Sequence, residues 1–413
     1  MKNISILLVI LLILSEKMSW QISFFITVSL LFIYIIKYGI PNKFIDINKE
    51  LIIIFIIGSL SGVYYVLTGK YELIDCLRDM MIFITPITYI TLGIFLSKYK
   101  NISEYDIYKT YIYSGIALSI LHIGDVIINF KEISLGIENR ALSGTGSSIT
   151  ILALIMLIFS EKEFKIAAIK SNFIRKFSIL LLLTSFVFYF SRTDLVLFFS
   201  FIIVILLVRK KINIKGCLKK IINVILILIL VFNIVPRKTM DEFITKLTRS
   251  FTEVSSDNSI WTWDRINTDW RGYEVYRAKI EISGWNSFKY ICGAGFGEQV
   301  DLGLQMKLGD EWFTKIPILH NGYYYIMLKT GVLGIILYLL FLIKLFIIGC
   351  KKILLNKFNF RYKLLCGMSL GLIFSTYVVS GLYNREGILA YCILIGFIRD
   401  YKIKKEWGRF NEK

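Results

Sequence analysis

The chain has 413 residues, is 56% hydrophobic and carries a formal net charge of +19, with a mean hydropathy of +0.64. That is too apolar for a soluble domain of this size. A charge of this size in a soluble protein would point to nucleic acid, but here the Lys and Arg side chains cluster in alternate loops between apolar runs, so the charge is topological and nucleic-acid binding is excluded.

Taken in chain order, Ile4 to Ser15 follows Lys2 as a signal peptide does, yet Glu16-Lys17 lead straight into the next run with no small-residue cleavage site. It reads as a retained first helix or signal anchor. Runs suited to crossing a bilayer then recur at Trp20 to Ile36, Leu51 to Leu67, Met80 to Leu96, Ile107 to Phe130, Ser147 to Phe159, Phe177 to Phe190, Leu195 to Val208 and Ile221 to Val235. After a long polar segment come Gly322 to Ile348, Leu364 to Val379 and Ile388 to Ile398. The expected fold is an all-α polytopic membrane protein of eleven or twelve transmembrane helices. It divides into N-terminal helices (1–236), one large loop (237–319), and C-terminal helices with a basic tail (320–413), all within a single membrane domain.

The loops set the expected orientation. Lys162 to Lys176 holds five basic residues, Arg209 to Lys220 six, Lys351 to Lys363 five and Arg399 to Lys413 six, whereas the loops near Arg192 and Arg385 hold one each. The segment from Arg237 to Ile318 is nearly neutral, with eleven Lys/Arg against twelve Asp/Glu. By the positive-inside rule the basic loops and the C-terminus face the cytoplasm and the large loop faces outward. Six cysteines lack metal-ligand spacing; only Cys76 and Cys292 fall on expected outer loops, where one disulfide is conceivable but not indicated.

Several positions carry chemistry or an ordinary structural meaning. In SRTD, Ser191 to Asp194, two helices meet with almost no loop, which holds Arg192 at the membrane boundary as either a headgroup anchor or a fixed anion ligand. Asn139 to Thr150, NRALSGTGSSIT, sets Arg140 ahead of a small-residue turn that is either an anion-binding turn or a plain helix start. In the large loop Arg265, Arg271 and Arg277 recur every six residues, a step that turns a helix by about 240° net, so they do not share one face. A helix is expected over Asp264 to Ile282, then glycine-punctuated loop to Pro317. Trp261, Trp263, Trp270, Trp285 and Trp312 crowd the same loop, suited to stacking on sugar rings, to the bilayer interface or to structure. Gly293 to Gly297, GAGFG, lacks the strand-to-helix setting of a nucleotide loop and reads as a tight turn. His122 and Asp125, one helical turn apart, either pair with each other or mark a polar cavity. His320-Asn321 stand where the large loop re-enters the apolar phase.

Taken together, the SR hairpin, a long outer loop with an Arg followed by Trp, a Gly-x-Gly turn, and HN-x9-G-x-x-G opening a helix resemble the O-antigen ligase and Wzy-type polysaccharide polymerase family. The resemblance covers Arg140 to about Leu342. It implies a glycosyltransferase C-like fold in the bacterial cytoplasmic membrane and an undecaprenyl-diphosphate-linked glycan as donor and as acceptor. It places catalytic roles on His320, Arg192 and Arg265, and substrate contacts on Arg140, Asn321, Arg271 and Trp270. Chain-length regulator and flippase proteins are the partners it implies. Two departures stand out: Tyr323 to Tyr325 replace smaller or aliphatic residues, and Lys329 stands where an acidic residue is frequent. No outward Asp/Glu cluster resembles a Mg²⁺ or Ca²⁺ site, so no metal or cofactor is expected. The implied activity is polymerisation of repeat units for O-antigen, capsule or exopolysaccharide. A ligase moving finished glycan onto a lipid core or a protein is the nearest alternative, and a polysaccharide flippase the rival from another class; the long loop argues for work done outside rather than passage through.

The expected orientation is checked by labelling single cysteines from outside, in a background lacking the native ones. Positions between Ser255 and Asn258 are expected to react and positions between Lys210 and Lys215 to stay protected; the reverse overturns the orientation.

Overall fold

The computed structural model describes residues 2–98, 102–135, 144–160, 168–207, 237–249, 261–308, 311–355, 360–385 and 387–401. They are mostly helical. Five helices are long and apolar enough to cross a membrane: α2 (Trp20–Tyr38), α3 (Phe44–Leu67), α4 (Leu73–Lys98), α5 (Glu104–Ile128) and, later in the chain, Gly322–Leu355. Phe25, Phe32 and Ile36 on α2 and Leu60 and Leu67 on α3 are exposed, as suits side chains that meet lipid. Other expected spans also fold as helices, of 13 to 19 residues: α1 (Lys2–Lys17), α7 (Ser147–Phe159) after the short α6 (Phe130–Leu135), α8 (Asn172–Phe188) and α9 (Arg192–Leu207), and near the C-terminus Phe360–Val378 and Ile388–Asp400. The expected run Ile221 to Val235 lies outside the described residues.

The polar segment departs from the sequence reading in two places. After α10 (Arg237–Arg249), the single helix expected over Asp264 to Ile282 is two, α11 (Trp263–Thr268) and α12 (Trp270–Ser283). Asp269 leaves helical geometry, at φ −127° and ψ 52°, and its carboxylate accepts the Gly272 N–H, so it caps the second helix instead of continuing the first. The expected glycine-punctuated loop contains a short helix, α13 (Ser287–Cys292), and an antiparallel hairpin of β1 (Val300–Leu308) and β2 (Glu311–Ile316). Val300 pairs with Ile316 and Lys307 with Trp312, with an irregularity between Asp301 and Met306. Val300, Leu302 and Met306 are buried, the period-two face that makes this stretch a strand. The chain then continues through α14 (Gly322–Leu355), α15 (Phe360–Val378), a 3₁₀ turn (Gly381–Tyr383) and α16 (Ile388–Asp400). Cys76 and Cys292 are both free thiols.

Helix α4 is the axis of the bundle, with 83% of its apolar window buried. It lies closest to α16, where Gly93 faces the Ile393 carbonyl and Gly396 faces the Ile90 carbonyl; any side chain at either glycine would strike the other backbone. Without a hydrophobic drive between helices in lipid, close backbone approach of this kind is what holds a pair together.

The GAGFG stretch is no surface turn. It enters the bundle between α3, α4 and α14, and its backbone is satisfied by its neighbours: Ala294 N–H donates to Leu328 O (2.9 Å), Gly295 N–H to Lys329 O (3.1 Å) and Phe296 N–H to Gly58 O (3.0 Å). Those two α14 carbonyls are available because α14 breaks at Gly331, which takes φ +67°, a conformation that a side chain resists. Phe296 slides over Gly58 and packs on Phe55 and Phe83. Behind it Lys329 Nζ meets Asp79 Oδ2 at 2.6 Å, both fully buried, and also donates to the Glu298 carbonyl. Asp79 further accepts from Gly297 N–H at 2.8 Å and from the Tyr325 hydroxyl at 3.4 Å.

Lys329→Met is expected to strand the Asp79 carboxylate in the bundle at a cost of about 3–5 kcal/mol. Lys344→Met removes a partly exposed pair with Glu50 and is expected to cost about 0.2–1 kcal/mol. Thermal unfolding of the detergent-solubilised protein checks the difference; equal losses overturn the ranking.

Candidate functional site

The connection from β2 into α14 is built around two side chains. Asn321 is buried and caps α14, its Oδ1 accepting from Tyr323 N–H (3.1 Å) and Tyr324 N–H (3.3 Å). Its Nδ2 amide is a buried donor without a partner among the described residues. Tyr323 ties this end of α14 to the Ile373 carbonyl of α15 at 2.7 Å, and Tyr325 ties it to Asp79 of α4. Two of the three tyrosines at 323 to 325 are thus fastenings of the helix, and Lys329 is likewise held, by Asp79 of α4.

His320 projects from this capped end with its side chain 47% exposed. Its Nδ1 lies 2.9 and 3.0 Å from the two oxygens of Glu274, and its backbone N–H donates to the same carboxylate at 3.0 Å. A carboxylate only accepts, so Nδ1 is the donor, which in the neutral ring leaves the lone pair on Nε2. Glu274 is almost fully buried on α12 among Gly272, Tyr273, Val275 and Ala278. That carboxylate was not among the residues expected to act. The signal for it was present as a lone acid on the apolar stripe of an amphipathic helix, where an unpaired charge is costly.

The arginines of this region take separate parts. Arg265 sits on α11 with its guanidinium 4.4 Å from the Trp261 ring centre. Arg277 braces α12 to the hairpin through the Asp301 carbonyl at 2.8 Å. Arg271 and Trp270 open α12, and Trp270 packs against Tyr273. Arg265, Trp270 and Arg271 therefore belong to the two short helices that carry Glu274.

A second feature lies around the SRTD hairpin. Phe190, at φ +47°, turns the chain sharply between α8 and α9, and the Ser191 hydroxyl accepts the Asp194 N–H at 3.3 Å. Arg192 is half-buried at the start of α9. Its neighbours Ser191, Thr193 and Asp194 line a cavity of about 420 Å³, shared with residues 144–148, Glu16, Tyr189, Asn384 and Gly387. Three helices, α7, α9 and α16, begin at its wall. At α7 and α16 the capping residue is glycine, Gly146 and Gly387, and neither first turn is closed by a side-chain cap. Helix N-termini supply N–H donors and positive potential, which favours an anion. Glu16 and Asp194 put carboxylates on the same wall, and both are engaged by other groups. Arg140, expected beside this turn, lies outside the described residues. His122 and Asp125 do not pair with each other: His122 bonds Ser185 at 2.9 Å and stacks on Tyr189, while Asp125 binds Lys17 at 3.3 Å.

The two features share one connection. The Ser380 hydroxyl donates to the Leu319 carbonyl, one residue before His320, at 3.1 Å, and the next residue, Gly381, lines the cavity. No family model, curated protein or solved structure matches this chain. The chemistry on hand is an imidazole fixed by a buried carboxylate, and a cavity whose wall combines hydroxyls, two carboxylates and two helix starts that no side chain caps.

Of the chain's two histidines, only His320 is open to solvent; His122 is fully buried. Diethyl pyrocarbonate followed by mass spectrometry is expected to modify His320 and spare His122. Modification of His122 in the folded protein overturns this placement.

Proposed function

We propose that the chain is a membrane glycosyltransferase that polymerises undecaprenyl-diphosphate-linked oligosaccharide repeat units at the outer face of the bacterial cytoplasmic membrane. The observation that carries the proposal is the convergence of three helix N-termini, beside Arg192, on one polar cavity that shares a connection with the His320–Glu274 pair. A lipid diphosphate is a dianion that must be bound at a membrane boundary and must leave carrying its charge. Uncapped helix starts and an arginine fork supply donors for both.

In this reading an acceptor hydroxyl attacks the anomeric carbon of the donor glycan. The bond from that carbon to the diphosphate oxygen breaks, and the electron pair leaves on the diphosphate. His320 Nε2 takes the hydroxyl proton, and the Glu274 carboxylate holds the ring and stabilises the imidazolium that forms. Asn321 offers its buried amide to a hydroxyl of the sugar. Arg192 and, from α11, Arg265 bind the donor diphosphate and stabilise it as it leaves. The glycosyltransferase C-like architecture, the outward placement of residues 237–319 and the cytoplasmic C-terminus belong to the same proposal.

Two measurements test it. A deletion strain is expected to show surface glycan of a single repeat on a gel; accumulated long lipid-linked chains would mean a ligase, and loss of all outer-face lipid-linked glycan a flippase. With purified protein in nanodiscs, His320→Gln is expected to bind the lipid-linked donor and to elongate it about 10²- to 10⁴-fold more slowly. Arg192→Lys keeps the charge but loses the planar fork, and is expected to slow elongation as well. Normal elongation by both variants at wild-type abundance overturns the site.

A further inference from the structure

Beyond α3 the chain folds back on itself. Gly69 takes φ +71°, and the N–H groups of Lys70 and Tyr71 both donate to the Tyr65 carbonyl. This turn sets the Lys70 ammonium 4.9 Å from the Tyr65 ring centre and 5.7 Å from that of Tyr71. From the other side α13 brings Lys289, whose ammonium is 5.3 Å from the same Tyr65 ring. Two cations 219 positions apart in the chain thus share one aromatic face.

Such a pair repels itself. Among the described residues neither lysine makes an ion pair with a carboxylate. The nearest acids are compromised as counter-charges: Glu298 accepts the Tyr71 hydroxyl, and burial together with Glu298 holds the Glu281 carboxyl above its usual range. Burial, and then Lys70, push the Lys289 ammonium below its ordinary value, and the nearby Glu298 and Glu281 offset this only in part. Two ammoniums held on one tyrosine ring, with no carboxylate within ion-pair distance among the described residues and only Glu298 and Glu281 near Lys289, favour an added anion.

The surroundings say which anion. The pair lies just past the last residue of a span, at the depth of lipid headgroups. Leu67 and Ile74 on one side, and Phe288 and Ile291 on the other, are exposed apolar side chains, from 52% to 82% accessible. They flank the lysines as a shelf suited to acyl chains, which a soluble phosphate has no use for. We infer that Lys70 and Lys289, side by side over the Tyr65 ring, bind the phosphate of an anionic membrane lipid whose acyl chains lie against Leu67 and Phe288. The site is separate from His320 and from the cavity at Arg192. By clamping α13 against the end of α3, a bound lipid closes the edge of the segment whose next five residues are the inserted GAGFG.

The test uses the full chain purified in a neutral detergent and exchanged against mixed micelles containing phosphatidylglycerol or phosphatidylcholine, with retained lipid counted by native mass spectrometry. Wild type is expected to retain phosphatidylglycerol in preference to phosphatidylcholine. Each basic side chain near a membrane surface contributes about a fivefold change, so Lys70→Gln/Lys289→Gln is expected to weaken retention about thirtyfold. Lys351→Gln/Lys352→Gln, which removes equal charge at the far end of α14, is expected to leave it unchanged. Equal retention by the Lys70/Lys289 variant and wild type overturns the proposal, as does an equal loss in the control. Glycerol phosphate competing as well as the whole lipid also overturns it, because the ligand is then a soluble anion. If the double variant fails to fold, Lys70→Gln alone decides: its side chain is exposed, a fivefold loss is expected, and no loss sinks the idea.

Discussion

The buried pair of Asp79 and Lys329 is the constraint on which the rest of the bundle depends. An ammonium and a carboxylate in an apolar interior are tolerable only together, and only when their remaining donors and acceptors are used. Here both conditions are met by a third party: the Gly297 N–H satisfies the carboxylate and the Glu298 carbonyl takes the ammonium. The inserted strap is therefore part of the pair's solvation. Remove the strap and the two helices keep a charge pair with unsatisfied groups; remove the pair and the strap loses its reason to lie between α3 and α14. The break at Gly331 follows from the same arrangement, since an unbroken α14 would have spent the carbonyls of Leu328 and Lys329 on itself.

Much of this was legible in the residues. Hydropathy located the apolar helices that the structure describes, because in lipid each span must satisfy its own backbone and so advertises itself as a long apolar run. What escaped detection was tertiary. Asp269 could have continued a helix or capped one, and only the departure of its backbone decides. The period-two face of Val300, Leu302 and Met306 is short and interrupted by Gly303, so turn residues mask it. The strap reads as a turn because five small or apolar residues carry no sign of the backbone they will lie against.

The candidate site shows the same division. His320 and Asn321 were visible because a histidine and an amide at the mouth of an apolar run are unusual. Glu274 was not, because forty-six residues separate it from His320 and nothing local ties them. The carboxylate that fixes the histidine is a contact of the fold, whereas the histidine itself is a residue type in a place. Arg277 is the converse case: it shared the spacing of Arg265 and Arg271, and the structure uses it to hold the hairpin.

Asp79 also has a history during synthesis. Its partner lies 250 residues further along the chain, so α3 and α4 are laid down in the bilayer long before Lys329 leaves the ribosome. Until then the half-made bundle holds the Asp79 carboxylate with only Arg78 beside it, at 3.8 Å, and an open groove along Gly58 and Gly62. A chain that stops before Lys329 therefore cannot complete the buried pair, and its α4 keeps a polar face that the finished bundle hides.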